Sequence, residues 1–145
     1  MKEVVRILTN LAISPTPQRV EIAAALLSKP QHLSAEQVLQ LVNQASNVVS
    51  KATVYNTLGL FARKGLVREV IVDPNKVFYD SNTRHHHHFY NIVTGELIDV
   101  EATHLNIAKL PQTPHGTACA GIDVIIRVRP VESAAPEKSD CDTLI

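Results

Sequence analysis

Four consecutive histidines, His85 to His88, make up more than half of the seven in this 145-residue chain. Imidazole is the commonest metal-binding side chain, and it suits zinc and iron, as carboxylates suit manganese. The tract runs into the apolar stretch Phe89-Tyr90-Asn91-Ile92-Val93. On an extended strand, successive side chains alternate faces. His86 and His88 would then point one way, and His85 and His87 the other. One short strand offers ligands to two separate sites. Carboxylates at Asp80, Glu96, Asp99 and Glu101 stand nearby in sequence. Expression tags are terminal, so an internal histidine run reads as a binding feature for a cation.

The neutral total charge hides an asymmetry. Residues 1–68 carry eight Lys/Arg against three Asp/Glu, a balance of +5, and the remainder is −5. A basic first half suits a polyanion, and an acidic, histidine-rich second half suits a cation. With 45% hydrophobic residues the chain can build one large domain or two small ones. No apolar run approaches the roughly 20 residues of a bilayer span. The start, Met1-Lys2-Glu3-Val4-Val5-Arg6, lacks the pattern of a secretory signal, so cytoplasmic residence is the expectation. Two cysteines, Cys119 and Cys141, with no C-x-x-C pair, are too few for a disulfide framework and argue against a cysteine-based tetrahedral zinc site within one chain.

The elements that must position these residues can be read from periodicity. Val4, Ile7, Leu8 and Leu11 predict a first helix ending before Ser14-Pro15. Thr16-Pro17 caps and opens a second, with Val20, Ala23, Ala24 and Leu27 inside, stopping near Lys29-Pro30. Ser34-Ala35-Glu36-Gln37 is a capping-box pattern opening a third, with Val38, Leu41 and Val42 inside. Ser50 caps a fourth, along which Val54, Leu58 and Phe61 share a face, and Gly65 stops it. Strand-like runs Leu66–Val72 and Val77–Tyr79 follow, joined by a turn at Asp73-Pro74-Asn75-Lys76. Helices followed by a β-hairpin give the winged helix-turn-helix order, with Ser50 to Lys64 as the recognition helix. Its outward positions include Ser50, Lys51, Thr53, Tyr55, Asn56 and Thr57, donors and acceptors suited to phosphates and base edges. Periodicity alone leaves a helical protein-interaction module open.

In the second half, Phe89–Val93 and Glu96–Val100 predict two strands joined at Thr94-Gly95, then a short helix over Ala102–Leu110 and a strand over Gly121–Arg129. Such a unit has little core of its own and favours completion by a partner subunit. The expected fold is α+β: a winged helix-turn-helix domain over residues 1–80, a small α/β dimerisation and metal-sensing domain over 81–130, and a polar flexible tail over 131–145.

Thr16-Pro17-Gln18-Arg19, His32-Leu33-Ser34-Ala35-Glu36, and Ala52-Thr53-Val54-Tyr55-Asn56-Thr57-Leu58 with Gly65-Leu66-Val67 resemble the ferric uptake regulator superfamily. Order and spacing agree from about residue 14 to residue 129. The resemblance implies a cytoplasmic bacterial repressor that dimerises through its C-terminal domain and binds operator DNA. It implies Tyr55 as base contact and Arg19 and Lys51 as phosphate contacts. Asn56 stands where many iron regulators carry arginine, which is closer to the peroxide-responsive and haem-responsive branches. The implied regulatory ligands are His32, Asp80, His86, His88 and Asp99, a set suited to Fe²⁺, Mn²⁺ or Zn²⁺ in five or six coordination. On the opposite strand face, His85 and His87, with Glu101, His104 and Asp123, are candidates for a second site. His115 reads as a loop residue.

The chain departs from the family where paired C-x-x-C motifs hold a structural zinc: Asn91-Ile92-Val93-Thr94 replaces the first pair, and Cys119 has no partner at that spacing. In this it resembles the iron response regulator branch, whose members carry a histidine-rich tract and respond to haem. No Cys-Pro haem motif occurs, so haem, as a further candidate ligand, would have to use the histidines. Two other classes stand beside a metal-responsive regulator of iron, manganese or haem status: a metal-binding or storage protein, and a metalloenzyme, neither binding DNA. The basic first half and the Tyr55 helix argue against storage. The lack of H-E-x-x-H, a nucleophile elbow or a phosphate-binding glycine loop argues against an enzyme.

Overall fold

The computed structural model describes residues 1–44 and 49–132. Residues 133–145 of the expected tail, with Cys141, lie outside the described residues. The chain forms two compact units, Met1–His85 and a second from His86 onward. No helix among the described residues is long and apolar enough to cross a membrane.

The first unit contains α1 (Lys2–Asn10), α2 (Pro17–Leu27), β1 (His32–Ser34), α3 (Ala35–Val42), α4 (Lys51–Arg63), β2 (Arg68–Asp73) and β3 (Lys76–Asp80). Local chemistry sets most boundaries. The Thr16 hydroxyl accepts from the Arg19 N–H, and Pro17 opens α2 where no amide partner is needed. At the other end, the Gln31 side-chain amide donates to the carbonyls of Ala25 and Leu26, which the helix leaves unsatisfied. Ser34 and Gln37 form the reciprocal capping box that starts α3. Leu8, Ile22, Leu26, Val38, Val54, Leu58 and Phe61 are fully buried and knit the helices together. Two stripes differ from expectation. Ile22 and Leu26 face inward on α2 where Ala24 and Leu27 were expected, and Leu41 of α3 is 40% exposed.

Strand β1 was not anticipated. Three residues are too few to show alternation, and the strand exists because β3 supplies a ladder. The sheet order is β1-β3-β2, antiparallel throughout, with His32 opposite Asp80 and Arg68 opposite Asp80 on the other side. Gln31 and Ser81 extend the β1–β3 ladder by exchanging backbone hydrogen bonds with backbone and hydroxyl.

In the second unit, β4 (His86–Asn91) is the middle strand, antiparallel to β5 (Leu97–Glu101) and parallel to β6 (Ile125–Val128). The strand thus begins within the histidine tract and stops before Ile92. The helix expected over Ala102–Leu110 is a single 3-10 turn, Ala102–His104. Residues 106–110 are exposed. With no face to bury, a segment this short gains too little to offset nucleation, and Pro111 disfavours helical backbone at Leu110.

Gly65 ends α4 at φ +81°. The Leu66 N–H reaches back to the Phe61 carbonyl and the Gly65 N–H to that of Ala62, while Leu66 and Phe61 join the same core. A Cβ at Gly65 would meet no atom within 4 Å. Gly65→Ala should therefore cost only backbone strain, about 1–2 kcal/mol, with Gly65→Asn costing less. Chemical denaturation of the three proteins checks this; equal stability of all three would show that the left-handed cap is unimportant.

Candidate functional site

Strand β4 is hydrogen-bonded on both sides, so its side chains have fixed faces. Registers His86↔Glu101 and His88↔Asp99 put these four residues on one face of the sheet. The Nε2 atoms of His88 and His86 lie 3.3 and 3.5 Å from the same oxygen, Asp99 Oδ1. Their ring centroids are 4.5 Å apart. Both imidazoles are buried, whereas Asp99 is half exposed. Two ring nitrogens and a carboxylate oxygen converging on one point match the donor set of a divalent cation. Three donors are fewer than the four to six such ions take, so a closed shell needs additional ligands.

His87 has a different role. The Val124 backbone N–H donates to its Nδ1 at 3.1 Å. A backbone amide can only donate, so Nδ1 must be the unprotonated nitrogen and Nε2 carries the ring proton. Neutral His87 in that tautomer has no lone pair at Nε2 for a metal. The bond ties β4 to the residue before β6, and the His87 ring is buried. The other proposed second-site residues do not gather around it. Glu101 stands opposite His86, on the His86/His88 face. His85 precedes the strand and is exposed, as are His104 and Asp123. Among the described residues these five do not converge on one point. The sequence offered alternation but not register or acceptor geometry, and those separate the two faces. His115 is exposed in a turn.

In the first unit, cross-strand pairing puts Arg68, Asp80 and His32 in a row on one face of the β1-β3-β2 sheet. Asp80 is 1% exposed, and its Oδ1 accepts from the Asn82 N–H at 2.9 Å, which fixes the carboxylate plane. His32 is half-buried, edge-on to Phe78 at 6.4 Å between ring centroids. Arg68 escaped sequence reasoning because only the ladder reveals its place beside Asp80.

Helix α4 carries the candidate nucleic-acid face. Ser50 accepts from the Thr53 N–H and shares a hydrogen bond with the Thr53 hydroxyl. Lys51, Tyr55 and Asn56 are exposed, but Thr57 is buried and leaves the set of outward residues. Arg19 Nη1 donates to the Ser14 carbonyl, and a cleft of about 250 Å³ is lined by Thr16, Gln18, Arg19, Thr53, Asn56 and Thr57. The Tyr55 hydroxyl donates to Glu36 Oε1 across 19 residues of sequence. That bond, then the backbone N–H of Glu36 and the charges of Lys51 and Lys76, holds the Glu36 carboxyl below its ordinary range. The same bond pushes the Tyr55 phenol up. The sequence shows Glu36 in a capping-box pattern and in a family-like motif, and nothing in it links Glu36 to Tyr55.

The two faces of β4 should separate by mutation. His87→Phe, which keeps volume but leaves the Val124 donor unpaired, should lose about 1–3 kcal/mol of stability and keep Mn²⁺ uptake. His88→Ala should lose Mn²⁺ affinity. Denaturant melts and calorimetric Mn²⁺ titration measure both, and loss of uptake in His87→Phe would return His87 to the ligands.

Comparison with known proteins agrees with this architecture. The model of the ferric uptake regulator family matches residues 11–125. A peroxide-responsive repressor, PerR, of Staphylococcus aureus is 31% identical over 113 residues, 77% of this chain and 76% of its own length. The ferric uptake regulator from Pseudomonas aeruginosa, solved with manganese, aligns with TM-score 0.65 and 25% identity over 86% of this chain and 96% of that one. The Vibrio cholerae regulator shares the fold, with TM-score 0.66 and 20% identity over 87% of this chain and 98% of its own. The chain belongs to the ferric uptake regulator family.

Proposed function

We propose that this protein is a metal-responsive transcriptional repressor that binds operator DNA as a homodimer in the cytoplasm. It is a regulator, not an enzyme. The observation that carries the reading is the convergence of His86, His88 and Asp99 on one point of the β4–β5 face. The first unit, residues 1–80 in functional terms, reads DNA through α4, with Tyr55 at bases and Arg19 and Lys51 at phosphates. Ser50, Thr53 and Asn56 line the same approach. The second, over residues 81–130, senses metal and dimerises.

The proposed ligand set has five members. His86, His88 and Asp99 supply three donors, and His32 and Asp80, paired across β1 and β3, supply two more. Five donors without a thiolate suit Fe²⁺, Mn²⁺ or Zn²⁺. The coupling of such an ion to DNA binding is reciprocal. Iron, manganese and zinc occur in this fold: the P. aeruginosa regulator was solved with manganese, one from Francisella tularensis with iron, and a manganese uptake regulator with zinc. Haem is the weaker ligand here, since His86–His88 are buried and only His85 of the tract is exposed.

Dimerisation has its own support. Among the described residues, the second unit buries only Tyr90, Leu97 and Val100 as apolar core, while Ile92, Val93, Ile98, Ile107 and Leu110 are exposed. A three-stranded sheet with open edges and that much apolar surface is stabilised by a second copy.

Two predictions test the reading. Under anaerobic Fe²⁺ or Mn²⁺ titration, His32→Ala and His88→Ala should each lose the metal response of operator affinity while remaining folded dimers. A wild-type response in both would remove the shared ion. Separately, Tyr55→Ala should lose about 1–3 kcal/mol of discrimination between specific and scrambled duplexes. Arg19→Ala and Lys51→Ala should weaken both duplexes and flatten the salt dependence. Unchanged specificity in Tyr55→Ala, read by gel shift at several salt concentrations, would take base reading away from α4.

A further inference from the structure

We propose that Glu36 is a specificity-determining residue, acting through Tyr55: it holds the Tyr55 hydroxyl so that the phenol presents only lone pairs and ring to a DNA base. The inference rests on the reading of α4 as the recognition helix.

A phenol carries one proton and accepts through its oxygen. Here the proton goes to Glu36 Oε1. A hydroxyl committed in this way can accept from cytosine N4 or adenine N6, and its ring can pack on a thymine methyl. It has no proton for guanine O6 or N7, which are acceptors. A tethered Tyr55 therefore disfavours guanine at the base it meets, and an untethered one tolerates it.

The carboxylate is placed to do this. Glu36 sits in the first turn of α3, where the helix dipole favours negative charge. The Tyr55 hydroxyl and the Glu36 backbone N–H hold the carboxyl below its ordinary range, and Lys51 and Lys76 add to this. Lys51 Nζ also stands 5.8 Å from the Tyr55 ring centroid, so the ring is held at its hydroxyl and attracted by a cation. A cleft of about 480 Å³ opens beside the pair, lined in part by Asn75, Lys76, Val77 and Tyr79. Without the tether the ring has room to turn into that space.

A purely local role for Glu36 is as an acidic residue at a helix start. That role predicts lower stability for Glu36→Ala and no change in base preference. A carboxylate beside a DNA-reading tyrosine also repels phosphates, at all sequences alike. Its removal should therefore tighten binding uniformly, so a change in base preference is a separate readout.

The test uses the full chain loaded with Mn²⁺ and a random-sequence duplex library. Wild type, Glu36→Ala, Glu36→Gln, Tyr55→Phe and Glu36→Ala/Tyr55→Phe are taken through selection, with thermal melts as a check on folding. Wild type and Glu36→Gln, whose amide oxygen still accepts the phenol proton, should exclude guanine at one position of each half-site. Glu36→Ala should admit guanine there by about fivefold or more, the scale of one base contact. In the Tyr55→Phe background, adding Glu36→Ala should change nothing at that position. The proposal is overturned if Glu36→Ala selects the wild-type sequences, if Glu36→Gln follows Glu36→Ala, or if the shift persists without the Tyr55 hydroxyl. If the wild-type chain enriches no sequence, the DNA-binding reading itself falls and takes the inference with it.

Discussion

Hydrogen bonding of β4 on both edges is the constraint on which the chemistry of the second unit depends. A strand paired on one side can slip or rotate; one paired to β5 and β6 cannot shift by a residue without breaking two ladders and exchanging its faces. Three adjacent histidines of identical chemistry thereby acquire different functions. His86 and His88 turn to the face of Asp99, where their nitrogens meet a carboxylate. His87 turns to the other, where a backbone amide occupies its Nδ1. The tract is therefore two candidate ligands separated by a structural strap, with a fourth histidine left at the surface.

This division explains how far the sequence could be read. The helices were legible because their signals are local: Thr16-Pro17, the Ser34–Gln37 box, Ser50 and Gly65 each act within one turn of the residue that carries them. Alternation was legible too, and it paired His86 with His88. Register was not, because it depends on residues such as Glu101 and Val124 that meet β4 only after folding. The row Arg68, Asp80, His32 and the bond from Tyr55 to Glu36 belong to the same class. The expected helix after Ala102 failed for the complementary reason. Ile107 and Leu110 have helical spacing, but nothing buries residues 106–110, and spacing without burial does not make a helix.

The β4–β5 turn shows how the chain closes a hairpin where the family pattern has cysteines. Asn91 Oδ1 accepts from the N–H groups of Val93 and Thr94, and its backbone bonds Glu96 and Gly95. Gly95 takes φ +76°, which spares a side chain the left-handed conformation. One asparagine side chain thus satisfies two amides of the turn Ile92-Val93-Thr94. A hydrogen-bonded turn gives this local order without deprotonated thiols, and so without their sensitivity to oxidation.

The second unit then has a small stability reserve. Among its described residues it buries three imidazoles beside only three large apolar side chains, and imidazoles return less on burial than hydrocarbon does. A cation at His86, His88 and Asp99 would offset that deficit directly, because ligand binding to the folded state alone stabilises it by mass action. The ion that signals would also be the ion that completes the sensor. Removing His86 or His88 would then lower metal affinity and the metal-dependent part of stability together. Changes on the His87 face would instead lower stability at every metal concentration. The same strand, read on its two faces, therefore separates what the fold needs at all times from what it needs only when metal is present.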